Sequence, residues 1–164
     1  DSSVTGVQTC ASDLYVDSEG NAWRPGTEFI VRTGTDTDSV IKALDTDRRS
    51  ITIAGTPDPE LYRYGLHGKE FWVNATVGTG VYCVRLLFAD TNLHQKMTIL
   101  ISGREAARAL DVRQAAGGIF KALDITYRDI APANGAIEIR FKGVDGKDAS
   151  VQAIEISPST KQKA

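Results

Sequence analysis

Few side chains in this sequence could do covalent chemistry. His67 and His94 are its only two histidines, and neither stands in an HxH or HExxH spacing that would bring two imidazoles to one metal. There is no GxSxG turn, no P-loop and no GxGxxG stretch, so neither an activated serine nor a phosphate cradle is marked. Paired carboxylates for glycoside hydrolysis meet in space and not along the chain. The acids here fall mostly in turns or on alternating solvent faces, where solvation accounts for them. The chain is therefore expected not to be an enzyme, and no cofactor is required. Asp13, Asp17, Glu19 and Glu155 could supply oxygen ligands for a structural calcium ion between two sheets. Asp17-Ser18-Glu19-Gly20-Asn21 begins like an EF-hand loop but lacks the rest of that loop and its flanking helices, so it reads as a β-turn.

The chemistry the residues do suggest is recognition of sugars. A sugar is held by stacking its C–H face on an aromatic ring and by bonding its hydroxyls to planar polar side chains. Tyr62 and Tyr64 lead into Gly65-Leu66-His67-Gly68, which reads as a loop. Trp23 follows the turn at Asp17 to Asn21, and Trp72 sits in a Phe-Trp-Val strand. For each of these rings, and for Phe88, core packing is the competing explanation. Arg85, Arg128 and Arg140 could line a concave sheet face that reads a long glycan, uronic acids included, or could be ordinary solvent-facing charges.

These residues must be positioned by strands. From Tyr15 onward, short β-type runs are separated by turn signals, and helical periodicity is nearly absent. Strands are expected at Glu28 to Arg32, Ser50 to Ala54, Leu61 to Tyr64, Glu70 to Ala75, Val81 to Ala89, Met97 to Ser102, Ala122 to Ile130, Ala136 to Phe141 and Val151 to Ile156. Val81 to Ala89 is apolar on both faces, as a strand inside a β-sandwich would be. Ile137, Ile139 and Phe141 alternate with Glu138 and Arg140, and Leu123, Ile125 and Tyr127 with Asp124, Thr126 and Arg128, so each strand has one buried and one wet face. Turns are marked at Gly78 and Gly80, Ser102-Gly103, Asn134-Gly135 and Asp145-Gly146, the last a two-residue hairpin signal. The one helical candidate is Asp38 to Leu44. The expected fold is all-β, a two-sheet antiparallel sandwich of jelly-roll type.

Bulk properties narrow the partners. The chain has 164 residues, enough for one domain with its own core, and a net charge of -2 with acids and bases interspersed. No basic run is present to neutralise phosphates, so nucleic acid is not an expected partner. No apolar run approaches the ~18–20 residues that cross a bilayer, so no membrane partner is expected. VTGVQTCA (Val4 to Ala11) reads like a translated sequencing-adapter oligonucleotide. Residues 1–14 are accordingly expected to be a non-native leader on a metagenomic fragment, 15–157 the domain, and 158–164 a polar tail. Cys10 and Cys83 can be neither paired nor separated from sequence; the alternative for Cys83 is a small buried residue on a strand interior. Asn74-Ala75-Thr76 is a glycosylation sequon by letter and equally a strand end.

Four stretches carry a family resemblance: Asp17 to Trp23, an acidic-Gly-x-x-Trp turn; Leu61-Tyr62 with the Tyr64 to Gly68 segment; Tyr82-Cys83-Val84-Arg85-Leu86-Leu87-Phe88-Ala89-Asp90; and Asp148 followed by Ala153-Ile154-Glu155-Ile156. Together they span Tyr15 to Ser157, and the chain resembles malectin and the malectin-like carbohydrate-binding modules. The resemblance implies a galactose-binding-like jelly roll whose ligand sits on loops at one end. Carried over by position, His67 falls where a binding Tyr is expected, Asn92 and Leu93 where a Tyr-Phe pair stands, and Asp148 where an acid stands. Only Asp148 is kept in kind, which departs from malectin's preference for a glucose disaccharide. The expected function is non-catalytic binding of a plant or microbial polysaccharide or oligosaccharide. That binding would target a covalently attached carbohydrate-active enzyme, in an extracellular or periplasmic protein secreted by a bacterium. The rival readings are an interdomain or protein-interaction sandwich without a glycan site, and a cryptic glycan hydrolase.

Overall fold

The computed structural model describes the backbone of residues 4–5, 15–23, 30–33, 42–45 and 52–159, and the side chains of 15–23, 32 and 52–159. In chain order the strands are β1 (Val4–Thr5), β2 (Tyr15–Val16), β3 (Ala22–Trp23), β4 (Ile30–Thr33), β5 (Lys42–Asp45), β6 (Tyr64–Gly68), β7 (Glu70–Thr76), β8 (Tyr82–Phe88), β9 (Lys96–Ile101), β10 (Arg104–Asp111), β11 (Leu123–Ile130), β12 (Ala136–Gly143), β13 (Ala149–Val151) and β14 (Ala153–Pro158). A 3-10 turn, Pro59–Tyr62, precedes β6, and one short helix, α1 (Val112–Ala116), follows β10. The fold is an all-β sandwich of antiparallel sheets. Among the described residues one sheet has the order β1-β14-β8-β11, another β10-β9-β12-β7-β4, a three-stranded sheet β13-β6-β5, and β2-β3 form a hairpin.

Alternation builds the main core. Phe71 and Val73 on β7, Ile137, Ile139 and Phe141 on β12, and Met97 and Ile99 on β9 are sealed from solvent. They pack against Val84, Leu86 and Phe88 of β8 and Ile154 and Ile156 of β14. Each such side chain is worth about 1.5–3 kcal/mol of burial. The rings of Phe71 and Phe141, cross-strand partners in register, stack with centroids 5.0 Å apart.

The second face of β8 is apolar only toward its end. Leu87 and Ala89 join Trp23, Ile53, Leu61, Tyr62 and Ala153 in a separate small core, covered by the β2-β3 hairpin and the segment leading into β6. Arg85, two residues before Leu87, instead carries charge onto that same outer face. Gln152 stitches this region together: its backbone N–H donates to Leu87 O at 2.9 Å, and its buried amide pairs with both the N–H and the C=O of Ala89, at 3.1 and 2.8 Å.

Several expected elements differ. Of the expected strand Leu61 to Tyr64, Leu61 and Tyr62 close the 3-10 turn and the strand begins only at Tyr64, so the expected loop Gly65-Leu66-His67-Gly68 belongs to β6, paired with β5 and β13. Gly65 sits there because a Cβ would come within 2.3 Å of Val151 O and 2.8 Å of Gln152 Cα. Of the expected strand at Ser50 to Ala54, residues 52–53 carry no ladder and Ala54 makes a single bridge to Lys121. Lys42–Asp45 is a strand where the helical candidate Asp38 to Leu44 ended, and 38–41 lie outside the described residues. Val151 to Ile156 is two strands broken at Gln152. β10 and α1 had no sequence counterpart.

Ser102-Gly103 and Asn134-Gly135 form tight turns with positive φ at both positions (52° and 80°; 54° and 76°). Asp145-Gly146 has the same character, φ 54° and 72°, yet does not close a hairpin. The strands on either side, β12 and β13, belong to different sheets. Cys83 is a half-buried free thiol on the outer side of β8, 3.4 Å from Ser159 Oγ, and not a core residue; Cys10 lies outside the described residues. Val4–Thr5, inside the stretch read as a leader, pairs with β14.

Candidate functional site

The ladder between β6 and β13 sets His67 opposite Ser150, with Leu66 and Val151 turned into the core. Asp148 lies one residue before β13. Its Oδ2 stands 2.8 Å from His67 Nδ1 although the two residues are 81 apart in sequence. Its Oδ1 is 3.7 Å from Lys69 Nζ, and its backbone C=O accepts from Lys96 N at 3.2 Å. Lys69 Nζ also donates to Gly146 O at 2.9 Å, which ties the β6-β7 turn to the β12-β13 turn. A carboxylate only accepts, so in this contact Nδ1 is the donor, and Nε2 is the ring nitrogen left for another partner. The His67 and Asp148 side chains are 16% and 29% exposed, open enough to meet a hydroxyl and closed enough to be fixed. Ser150 completes a serine-histidine-aspartate set by residue type. Its Oγ is nonetheless buried and makes no hydrogen bond to a described residue, His67 included, so the contact that would activate it is not made.

Asn92 and Leu93 lie on the β8-β9 loop, which ends at buried Gln95, and Lys96, the first residue of β9, contacts Asp148. The loop is shaped by Asp90, which no local sequence signal marks as a loop anchor. Asp90 is fully buried. Its Oδ1 accepts the backbone N–H groups of Asn92, Leu93 and His94 at 2.8, 3.1 and 3.0 Å, and its Oδ2 accepts Arg113 Nε at 2.7 Å. Asn92 and His94 take positive φ, 77° and 55°, to make this possible. The result is a rigid loop that leaves Leu93 45% exposed. His94 Nε2 lies 3.2 Å from Asp111 Oδ2, and Asp111 caps α1 through Gln114 N. That cap, more than the charge of His94, keeps the Asp111 carboxyl below its ordinary range.

Three of the expected aromatics lie elsewhere. Trp23 is fully buried, its indole N–H given to Asp17 Oδ2 at 2.9 Å. Tyr62 is 2% exposed, its hydroxyl given to Asp124, and burial together with that carboxylate holds its phenol well above the usual value. Neither ring offers a face to a sugar, which corrects the expectation that they would. Tyr64 is half-buried, on the face of β6 opposite to His67 and about 10 Å along the strand. His67, Asp148, Asn92 and Leu93 therefore gather at one end of the sandwich, and Trp23, Tyr62 and Tyr64 do not join them.

The expected arginine face is divided. Arg85 and Arg128 stand on β8 and β11, whereas Arg140 is on β12 in the opposing sheet. Arg140 and Arg32 lie 5.0 and 4.1 Å from the Trp72 ring centroid, and pair with Glu70 and Glu138 respectively. This stack occupies Trp72 and neutralises both arginines internally. Of the calcium candidates, Asp17 is surrounded by donors: Oδ1 accepts from Glu19 N and Asn21 N at 2.9 and 2.8 Å. Burial raises its pKa, but the Trp23 and backbone bonds outweigh that and leave it below the ordinary value. Glu155 accepts from Arg85 at 2.9 Å, and Asp13 lies outside the described residues. Among the described residues, no three His, Cys, Asp or Glu side chains cluster as a metal site.

Comparison with solved structures places the fold among known ones. The extracellular domain of ANXUR2 from Arabidopsis thaliana superposes with a TM-score of 0.77 at 14% identity, over 98% of this chain and 49% of that one. The plant receptor-like kinase FER gives 0.73 at 12%, over 100% and 43%. β-Glucuronidase 2 of Bacteroides uniformis gives 0.70 at 20%, over 96% and 18%. The plant proteins contribute malectin-like extracellular domains, and identities this low establish a shared fold. No family model and no curated protein sequence matches the chain. The chain spans half or less of the length of each of these structures. Among the described residues, no helix is long and apolar enough to cross a membrane.

Proposed function

We propose that this domain is a non-catalytic carbohydrate-binding module that grips a polysaccharide at the His67-Asp148 end. It thereby holds an attached carbohydrate-active enzyme to its substrate outside the cell. The observation that carries this reading is the meeting of His67 and Asp148 across 81 residues at 2.8 Å, beside the Asp90-braced loop bearing Asn92 and Leu93. These are the positions at which the malectin resemblance puts ligand contacts. His67 Nε2 accepts a sugar hydroxyl, Asp148 accepts a second, the Asn92 amide offers both donor and acceptor, and exposed Leu93 covers a C–H face. With no Phe, Tyr or Trp ring among the four, contact is through hydrogen bonds and one aliphatic side chain. Affinity at one site is accordingly weak, about 0.1–1 mM, or roughly −4 to −5.5 kcal/mol. Attachment to an enzyme makes such affinity useful by raising effective concentration. The malectin-like and glycosidase neighbours are consistent with this role.

The test is affinity gel electrophoresis against soluble glucans, xylans, mannans and pectins, with insoluble cellulose alongside. Retardation by one class, abolished in Asp148→Ala, is the expected result. No retardation on any glycan would leave the interdomain-packing reading in its place.

A further inference from the structure

We infer that the groove on the outer face of β8 and β11 is a second sugar-ring site, one that selects against acidic sugars. Arg85 and Asp124 form its floor; the β2-β3 turn with Glu19 and the segment carrying Thr56, Pro57 and Asp58 form its walls. It encloses about 250 Å³, below the range of pockets that hold drug-sized ligands and suited to a single ring. The groove lies over a sheet face and shares no residue with the His67-Asp148 end, so it stands whether or not that end binds glycan.

Its polar groups are fixed before any ligand arrives. Arg85 Nε and Nη2 hold Asp124 Oδ2 at 3.2 and 2.6 Å, Arg85 Nη1 holds Glu155 at 2.9 Å, and the buried Tyr62 hydroxyl holds Asp124 Oδ1. Opposite, Asp58 accepts Ser18 N, Ser18 Oγ and the Tyr15 hydroxyl at 2.7, 2.8 and 3.2 Å. A carboxylate has about four lone-pair directions; Asp124 and Asp58 each use three here, which leaves acceptor capacity on both. Glu19 accepts no side-chain bond from a described residue. The groove is thus rich in immobilised acceptors, and its complement is a ligand rich in hydroxyl donors, with the exposed Pro57 ring beside its C–H face. Asp17, Glu19, Asp58 and Asp124 against Arg85 make the lining four negative to one positive among the described residues, so a uronate is repelled and an amino sugar favoured. Because the internal bonds are already made, binding orders few side chains.

Amide ¹H–¹⁵N spectra of the intact chain, titrated with methyl glucoside, glucosamine and glucuronate at mildly acidic pH, test this. The expected result is movement of the Ser18, Glu19, Gly55 and Thr56 amides with the first two sugars and none with glucuronate. Glucosamine should bind about 2- to 5-fold tighter than the glucoside, the size of one exposed charge pair. Glu19→Gln, which breaks no side-chain bond to a described residue, should narrow that ratio toward one without disturbing the remaining spectrum. The Asn92 and Leu93 amides report the other site in the same spectra. Shifts confined to those two, shifts nowhere, or equal response to glucuronate would overturn the proposal.

Discussion

Replacing Asp90 by alanine removes the one group around which the β8-β9 loop is wound. Its carboxylate accepts three backbone N–H groups and Arg113, and is wholly buried. A hydrogen bond to a charged acceptor is worth about 1.5–3 kcal/mol. The loop amides can partly reach water once the carboxylate is gone, so about 1 kcal/mol each is the appropriate scale. Arg113 is 35% exposed and re-solvates, so its lost partner adds little. The sum is about 3 kcal/mol, which for a domain of this size lowers Tm by roughly 6–12 °C. Asp90→Asn keeps an acceptor oxygen for the three amides and loses the charge and the acceptor for half-exposed Arg113, at about 1 kcal/mol. Urea unfolding followed by tryptophan fluorescence measures both variants. If Asp90→Ala falls within about 1 kcal/mol of wild type, or asparagine proves as damaging as alanine, the loop is not held as described.

Three further outcomes follow from the packing and the charges. Gly65→Ala should destabilise by about 1–3 kcal/mol or prevent folding, since its methyl would meet backbone at Val151 and Gln152 and nothing flexible can yield; thermal melts detect this. Phe141→Ala, at the centre of the main core and stacked on Phe71, should cost about 3–5 kcal/mol by the same assay. Burial, then the adjacent Asp58 carboxylate, pushes the Tyr15 phenol up from 10.0 to about 12. The unfolded chain therefore ionises there first, so Tyr15 stabilises the fold fully below pH 10 and its contribution is lost as pH climbs toward 12. Tyr15→Phe should flatten that part of the stability-pH curve, and an unchanged slope would contradict the assignment.

What the sequence disclosed, and what it hid, divides along physical lines. Alternation in β12 and β11 was legible because one face is packed and the other wet, and the same period-two signal placed Ile137, Ile139 and Phe141 in the core. β10 was invisible because Arg104-Glu-Ala-Ala-Arg-Ala-Leu-Asp111 has the composition of a helix; it is a strand through pairing with β9, with two register shifts along the edge. β6 was mistaken for a loop because Gly65 resembles a turn residue, while its purpose is close approach to the next layer. Asp145-Gly146 announced the correct backbone turn, but a turn does not say which sheet the chain enters next. Trp23 and Tyr62 were mistaken for surface rings because the small core that buries them is built from a hairpin and a 3-10 turn, which carry no periodicity.

The approach of His67 to Asp148 was legible only through family resemblance, since nothing local links residues 81 apart. Asp90 was hidden because its role depends on the positive φ of Asn92 and His94, and an acid after an apolar strand looks merely solvated.

The central claim, that the His67-Asp148 end grips a glycan chain, is met most directly by titrating the labelled domain with oligosaccharides of whichever polysaccharide retards it and mapping the amide shifts. The account predicts saturable movement of Asn92, Leu93 and Asp148, with the His67 ring resonances moving in step and all of it lost in Asp148→Ala. Binding that leaves those residues still, or that survives the substitution unchanged, would contradict it.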